Sequence, residues 1–177
     1  MRFDPPLPEK AQAATEVPLG CAGKVFLHLE DAERDFGAES LLYGSTTSVR
    51  TASHHIRPFG RPLVESYFGG ETAFDLEHAG AEAAADFCIG QIVDALGSSY
   101  RRRLHPLATT RWSADPWSRG GYSHALTGRM DARDALAAPI GRLFFAGEAC
   151  SRHAYSSAHG AYETGRAAAD AVLNRIG

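Results

Sequence analysis

The chain has 177 residues, 44% of them hydrophobic, enough for an ordinary core and too few residues for several large domains. Its formal net charge is −3 and its one basic cluster is Arg101, Arg102 and Arg103, so the clustered positive surface that phosphate neutralisation demands is missing and no nucleic-acid partner is expected. No apolar stretch approaches the ~20 residues of a membrane span and the N-terminus carries no signal-peptide core, so a cytoplasmic protein without a membrane partner is expected.

Pro5, Pro6 and Pro8 predict an extended lead-in over Phe3–Lys10, because each ring removes a backbone donor and biases the residue before it away from helix. Helical or turn structure is expected at Ala11–Val17. From Lys24 the residues alternate. Val25, Leu27 and Leu29 point one way and Lys24, Phe26 and His28 the other, which predicts a strand with one wholly apolar face. Lys10 and Lys24 are the only lysines among 18 basic residues. On a strand, the compact ammonium of Lys24 suits water positioning better than a guanidinium would, and a snorkelling surface residue is the alternative.

Asp31–Phe36 reads as a charged turn and Leu41–Arg50 as a strand with an irregularity at Gly44. Thr51–Pro62 has no clear period. Its adjacent His54 and His55 point to opposite sides of an extended segment and make a poor chelate. Leu63–Phe68 predicts a strand ended by Gly69 and Gly70. Asp75 is read as the cap of one helix running to Gly97, with Leu76, Ala79, Ala83, Phe87, Cys88, Ile92 and Leu96 on its buried side and His78 and Glu82 at the surface. The three arginines beyond it are expected to be a solvated run complementing the helix dipole. His105-Pro106 breaks the chain before a strand over Leu107–Trp112. Cys21, Cys88 and Cys150 are odd in number with no CxxC pair, which predicts a reducing compartment and no metal site.

Trp112, Trp117 and Tyr122 then recur at a spacing that fits neither a helix face nor a strand face, with Pro116, Gly120 and Gly121 forcing turns between them. An irregular loop that displays three aromatics suits a pocket wall, and ordinary core is the other reading. Near the end, Leu143–Ala146 predicts a buried strand, and Gly147 permits a sharp turn after it. Ser156 and Ser157 are candidate N-caps of a helix on which Ala161, Gly165, Ala168 and Val172 share a side nearly bare of bulk, with Gly160 in the first turn. The free N–H groups at that helix start, from Ala158, suit a phosphate or a ring carbonyl. A carboxylate would repel a pyrophosphate, so Glu148 is expected to accept hydrogen bonds from hydroxyls or to act through water. From spacing alone, a cofactor site and a plain strand, loop and packing helix both remain open.

The stretch LFFAGEACSRHAYSSAHGAYETG, from Leu143 to Gly165, resembles the C-terminal FAD-binding signature of the flavin-containing amine oxidases, the family of monoamine oxidase, polyamine oxidase and the lysine-specific histone demethylases. TRWSADPWSRGGYSHALTG, from Thr110 to Gly128, resembles the family's other signature, and LGCAGKVFLHL, from Leu19 to Leu29, is a weaker match at the place where members carry a lysine facing the flavin. The resemblance implies FAD as cofactor, with Trp112 and Trp117 along the isoalloxazine and Gly147, Glu148, Ser156, Ser157, Ala158 and Ala161 holding it. It implies that Lys24 holds a water at the flavin and that Tyr122 is an aromatic cage wall, both counted as catalytic. Tyr155 stands one residue past the position of the second wall, and His159 is expected to brace the loop.

The expected fold class is α/β or α+β: a mixed-sheet substrate domain over residues 1–138, and over 139–177 the C-terminal strand and helix of a Rossmann-like FAD-binding domain. No GxGxxG lies between a strand and a helix, so the dinucleotide-binding half is expected to come from an N-terminal segment or a partner chain. The expected activity is oxidation of a small-molecule amine with oxygen reduced to hydrogen peroxide. The alternatives are another flavin substrate, either an L-amino acid, read by Arg57 or Arg61, or a protoporphyrinogen-like compound, and a non-catalytic interaction module.

Overall fold

The computed structural model describes residues 3–176. It divides into two compact units, one formed by the residues up to Gly20 together with those from Tyr122 onward, the other by Cys21–Gly121.

The second unit is built on a five-stranded sheet. Strands β2 (Ala22–Leu29), β3 (Ser40–Tyr43), β4 (Ser53–Ile56), β5 (Leu63–Gly69) and β6 (Leu104–Thr109) lie in the order β3-β4-β5-β2-β6. The expected alternation in β2 holds: Val25, Leu27 and Leu29 are buried and Lys24, Phe26 and His28 are partly open. In register with them, Val64, Ser66 and Phe68 of β5 and His54 and Ile56 of β4 fill the same covered face. Helices α3 (Gly70–Ala79) and α4 (Ala81–Leu96) lie over it with Ala73, Leu76, Ala84, Ala85, Cys88, Ile89 and Ile92. A short helix, α2 (Ala32–Asp35), follows β2 where the charged turn was expected. The helix-and-strand class is as expected, but the sheet is not mixed, since every strand pair is antiparallel. β5 and β6 run the same way only because both flank β2, and the α3–α4 connection carries the chain across it.

Several local expectations change. The single helix from Asp75 to Gly97 is two helices, because Gly80 at φ +99° breaks the backbone where a side chain would be strained. Asp75 is therefore inside α3, pairing with Arg50 at 3.0 Å, and His78 and Glu82 fall on different helices. The strand expected over Leu41–Arg50 ends at Tyr43: a Cβ on Gly44 would lie 2.3 Å from the Ala52 carbonyl oxygen, so the chain turns there at contact distance. β6 starts earlier than Leu107 and runs through Pro106. As an edge strand with a bulge opposite Phe26 and Leu27, it accommodates a residue without an N–H.

In the first unit, helix α1 (Pro8–Glu16) begins within the segment expected to be extended. Pro8 occupies the first turn, where a missing N–H costs nothing. Strand β1 (Leu19–Gly20) pairs with β7 (Tyr122–Ser123), helix α5 (Ala132–Ala137) follows, and α6 (Ala158–Ile176) closes the chain. Ala13, Val17 and Ala132 form a small core with Ala125, Leu136 and Ala149 around it. The buried strand expected at Leu143–Ala146 is absent. Leu143 makes one isolated bridge to Ile140 and is 44% exposed. A strand needs neighbours to take its backbone groups, and among the described residues this segment has no ladder to join. The compact units part at 20/21 and 121/122, with α1 packed on α5 and β7 paired with β1 in the first of them.

Candidate active site

Lys24 projects from the open face of the sheet, its Nζ 2.9 Å from Glu65 Oε2 on the neighbouring strand. A recess of about 140 Å³ beside the pair is lined by Tyr43, Ser53, His55 and Tyr67 among others. Opposite Lys24, Thr110 leaves β6: its N–H donates to the Lys24 carbonyl at 2.9 Å, and its Oγ1 accepts from the Lys24 N–H at 2.8 Å. Two motifs 86 residues apart are thereby tied together, since the tryptophan loop springs from the partner of the lysine.

That loop has its own internal order. Asp115 Oδ1 accepts from the Trp117 and Ser118 amides at 3.0 and 2.7 Å, and the Gly120 N–H closes back on the Trp112 carbonyl at 3.1 Å. The first two bonds hold the Asp115 carboxyl below the usual range. Both rings stand out from the unit: Trp112 is 46% and Trp117 91% exposed. Large aromatics so displayed on an ordered loop are ligand-facing far more readily than core-forming.

In the other unit Glu148 is the hub. Its Oε1 accepts from the Ser123 N–H at 2.9 Å, and its Oε2 accepts from Ser123 Oγ and the Ser156 N–H, each at 2.7 Å. Burial by itself would raise its pKa. The Ser123 and Ser156 bonds outweigh that, aided by the charge of Arg133, and hold the carboxyl below its ordinary value. The expected hydroxyl donor is therefore Ser123 of this chain. With three of about four lone-pair positions used, Glu148 keeps room for roughly one further donor.

Gly147 turns at φ +138° as expected, and its N–H donates to Thr164 Oγ1 of α6 at 3.0 Å. Ser157, not Ser156, caps α6, its Oγ accepting from the Gly160 N–H at 3.2 Å, while Ser156 sits in the left-handed region and donates its hydroxyl to the Ser123 carbonyl. The amides of Ala158 and His159 carry no partner among the described residues, leaving donors at the helix start. His159 reaches Ser157 Oγ at 3.5 Å, a weak brace. Ala161, Gly165, Ala168 and Val172 are the better covered side of α6, as their spacing predicts. The close approach expected at Gly160 is taken by the chain's own loop, since a Cβ there would lie 1.9 Å from the Ala154 carbonyl oxygen. Tyr122, on β7, is partly open, and the Tyr155 ring lies under the Arg133 guanidinium at 4.5 Å.

Three residues of these assemblies escaped the sequence reading. Arg133 is fully buried and donates to Ser123 Oγ at 2.8 Å and to the Ala149 carbonyl at 3.2 Å. Lys10 donates to the carbonyls of Ala135 and Leu136 at 2.6 and 2.8 Å and to that of Ala138, capping α5, with its Nζ 4.2 Å from the Phe145 ring centre. Glu77, on α3, binds the tryptophan loop. None carries a spacing or motif that points to its partner, so no local signal marks its role. Arg57, considered as a carboxylate reader, instead donates to the Phe36 and Gly60 carbonyls.

A family profile described as flavin containing amine oxidoreductase matches residues 1–173. The chain belongs to this family. Among its relatives, polyamine oxidase 2 of Arabidopsis thaliana is 32% identical over 99% of this chain and 36% of its own length. The peroxisomal N(1)-acetyl-spermine/spermidine oxidase of Homo sapiens is 28% identical over 97% of this chain and 39% of its own length. A possible lysine-specific histone demethylase 1 of Drosophila melanogaster is 31% identical over 93% and 20%. In fold, a putrescine oxidase bound to putrescine superimposes with a TM-score of 0.76 at 21% identity, over 98% of this chain and 40% of that one. A cyclohexylamine oxidase from Brevibacterium oxydans gives 0.73 at 20% identity, over 99% and 40%. The chain thus spans well under half the length of these proteins.

The expected cofactor, FAD, agrees with the flavin in the family's description. Within Cys21–Gly121 the two exposed indoles on an ordered loop suit a flat aromatic ligand, and within the other unit the unpartnered amides at the start of α6 suit an anionic or carbonyl group.

Proposed function

We propose that this chain is the C-terminal part of an FAD-dependent amine oxidase, acting with a dinucleotide-binding segment or partner chain that carries the remaining cofactor contacts. The observation that carries this reading is the union of Lys24 with Thr110, which ties the lysine strand to the start of the loop that displays both indoles. FAD, when bound, would supply the two-electron acceptor for oxidation of the amine α C–H, with oxygen as the terminal oxidant reduced to hydrogen peroxide.

The chain's residues then have separate tasks. Trp112 and Trp117 wall the ring system, and Tyr122, with Tyr155 as the candidate second wall, shapes an apolar approach that favours the free-base amine. Lys24, steadied by Glu65, holds a water on the open sheet face. The same position serves hydrolysis of the imine to a carbonyl compound and an amine or ammonia. Gly147, Ser157, Ala158 and Ala161 form the turn and helix start against the cofactor. Glu148 and Ser156 hold that turn in shape, with one acceptor position of Glu148 left for a ligand hydroxyl.

The test is Lys24→Met in the complete flavoenzyme, followed by stopped-flow flavin absorbance. The expected outcome is reoxidation by oxygen slowed by about a hundredfold with the flavin still bound. Unchanged reduction and reoxidation rates would remove the lysine from the mechanism.

A further inference from the structure

The tryptophan loop leaves the sheet at Thr110 and is closed on itself by the Asp115 bonds and the Gly120–Trp112 bond, none of which ties its middle to the rest of the unit. That tie comes from α3. Glu77 Oε1 accepts from the Ala114 N–H at 2.7 Å, and its Oε2 accepts from Ser113 Oγ at 2.6 Å and from the Ser113 N–H at 3.3 Å. The Cys21 thiol joins at 3.6 Å from Oε2 and 3.2 Å from Ser113 Oγ. Both carboxylate oxygens of one helix residue thus grip the two residues that follow Trp112. Burial would raise the Glu77 pKa, yet the bonds from Ser113 and Ala114 hold it below the ordinary range, as a carboxylate acting as a charged acceptor requires.

We propose that Glu77 is a positioning residue that latches the tryptophan loop to α3 and so fixes the indole of Trp112 in a single presentation. Its relevance to a cofactor rests on the flavin reading above, whereas the latch itself does not. A fixed indole meets a planar ligand without first losing loop entropy, so the latch lowers the cost of binding. Glutamine keeps one acceptor oxygen but turns an NH2 toward N–H donors, so it retains at most part of the grip. Alanine retains none.

Trp112 and Trp117 are the two tryptophans of the sequence, so indole emission reads this loop alone. In the 177-residue chain carrying Trp117→Phe, Glu77→Ala is expected to raise the acrylamide quenching constant of Trp112 about twofold and lower its anisotropy, with Glu77→Gln between the two. Glu71→Ala, an exposed change on the same helix, is expected to leave both readings as they were. Should Glu77→Ala fail to fold by far-UV circular dichroism, the Gln variant carries the test. Quenching and anisotropy unchanged in a folded Glu77 variant overturn the latch. The complementary measurement is FAD affinity of the complete flavoprotein carrying Glu77→Gln, where about a tenfold loss is expected. A loosened loop with unaltered FAD affinity leaves the latch standing and counts against the flavin reading instead.

Discussion

At the scale of single residues, the groups that decide local stability are polar ones placed where water cannot reach. His54 is 99% shielded and its Nδ1 lies 2.8 Å from Ser66 Oγ, while its Nε2 has no partner. Desolvation brings its pKa from 6.5 down to about 4. The neutral ring is therefore the folded form, and the unfolded chain takes up the proton first. This contribution is whole above pH 6.5 and is lost as the pH falls toward 4, about 3 kcal/mol in all. His54→Gln is expected to flatten the stability profile across that window, read from urea midpoints at stepped pH. The Glu148 carboxyl, held below its unfolded value, adds a second loss at still lower pH, which Glu148→Gln removes. Arg133 tests the other buried assembly. Arg133→Met strands the Ser123 and Ala149 acceptors, and a loss of about 2–4 kcal/mol is expected in denaturant titration.

At the scale of elements, two glycines of one helix should answer the same substitution with opposite signs. Gly165 has open space where a Cβ would stand, so Gly165→Ala gains helix propensity and stabilises the chain by about 1 kcal/mol. Gly160 has the Ala154 carbonyl oxygen 1.9 Å from that point. Gly160→Ala must push the loop off the helix and is expected to cost about 2–4 kcal/mol despite the same gain in propensity. Thermal midpoints of the two variants against the parent chain check the pair. The contrast is invisible in sequence, since both glycines sit on a helix of small residues and only the returning loop distinguishes them.

At the scale of the whole molecule, the chain spans 36% of its polyamine oxidase relative. Among the described residues Leu143–Ala146 has no ladder to join beyond the single bridge of Leu143 to Ile140. The 177-residue chain alone is expected to be colourless and to retain no FAD. Added to a polypeptide bearing the dinucleotide-binding loop, it should give a yellow protein with visible flavin absorbance. Stoichiometric FAD on the lone chain would contradict this division of labour.

The amino-acid sequence by itself determined β2 and β5, where burial alternates over Lys24–Leu29 and Leu63–Gly69, and the turn at Gly147. It also determined the family, because long motifs keep their order whatever packs around them. Only the tertiary structure decided the partners. Lys24 meets Glu65 and Thr110, Glu148 meets Ser123, Arg133 enters a core, Lys10 caps a distant helix, and Glu77 reaches the tryptophan loop. The physical reason is range. Periodicity and turn chemistry act over a few residues of chain, whereas a buried charge or acceptor is matched by whichever donor the fold brings within 3 Å, and no spacing rule encodes that meeting.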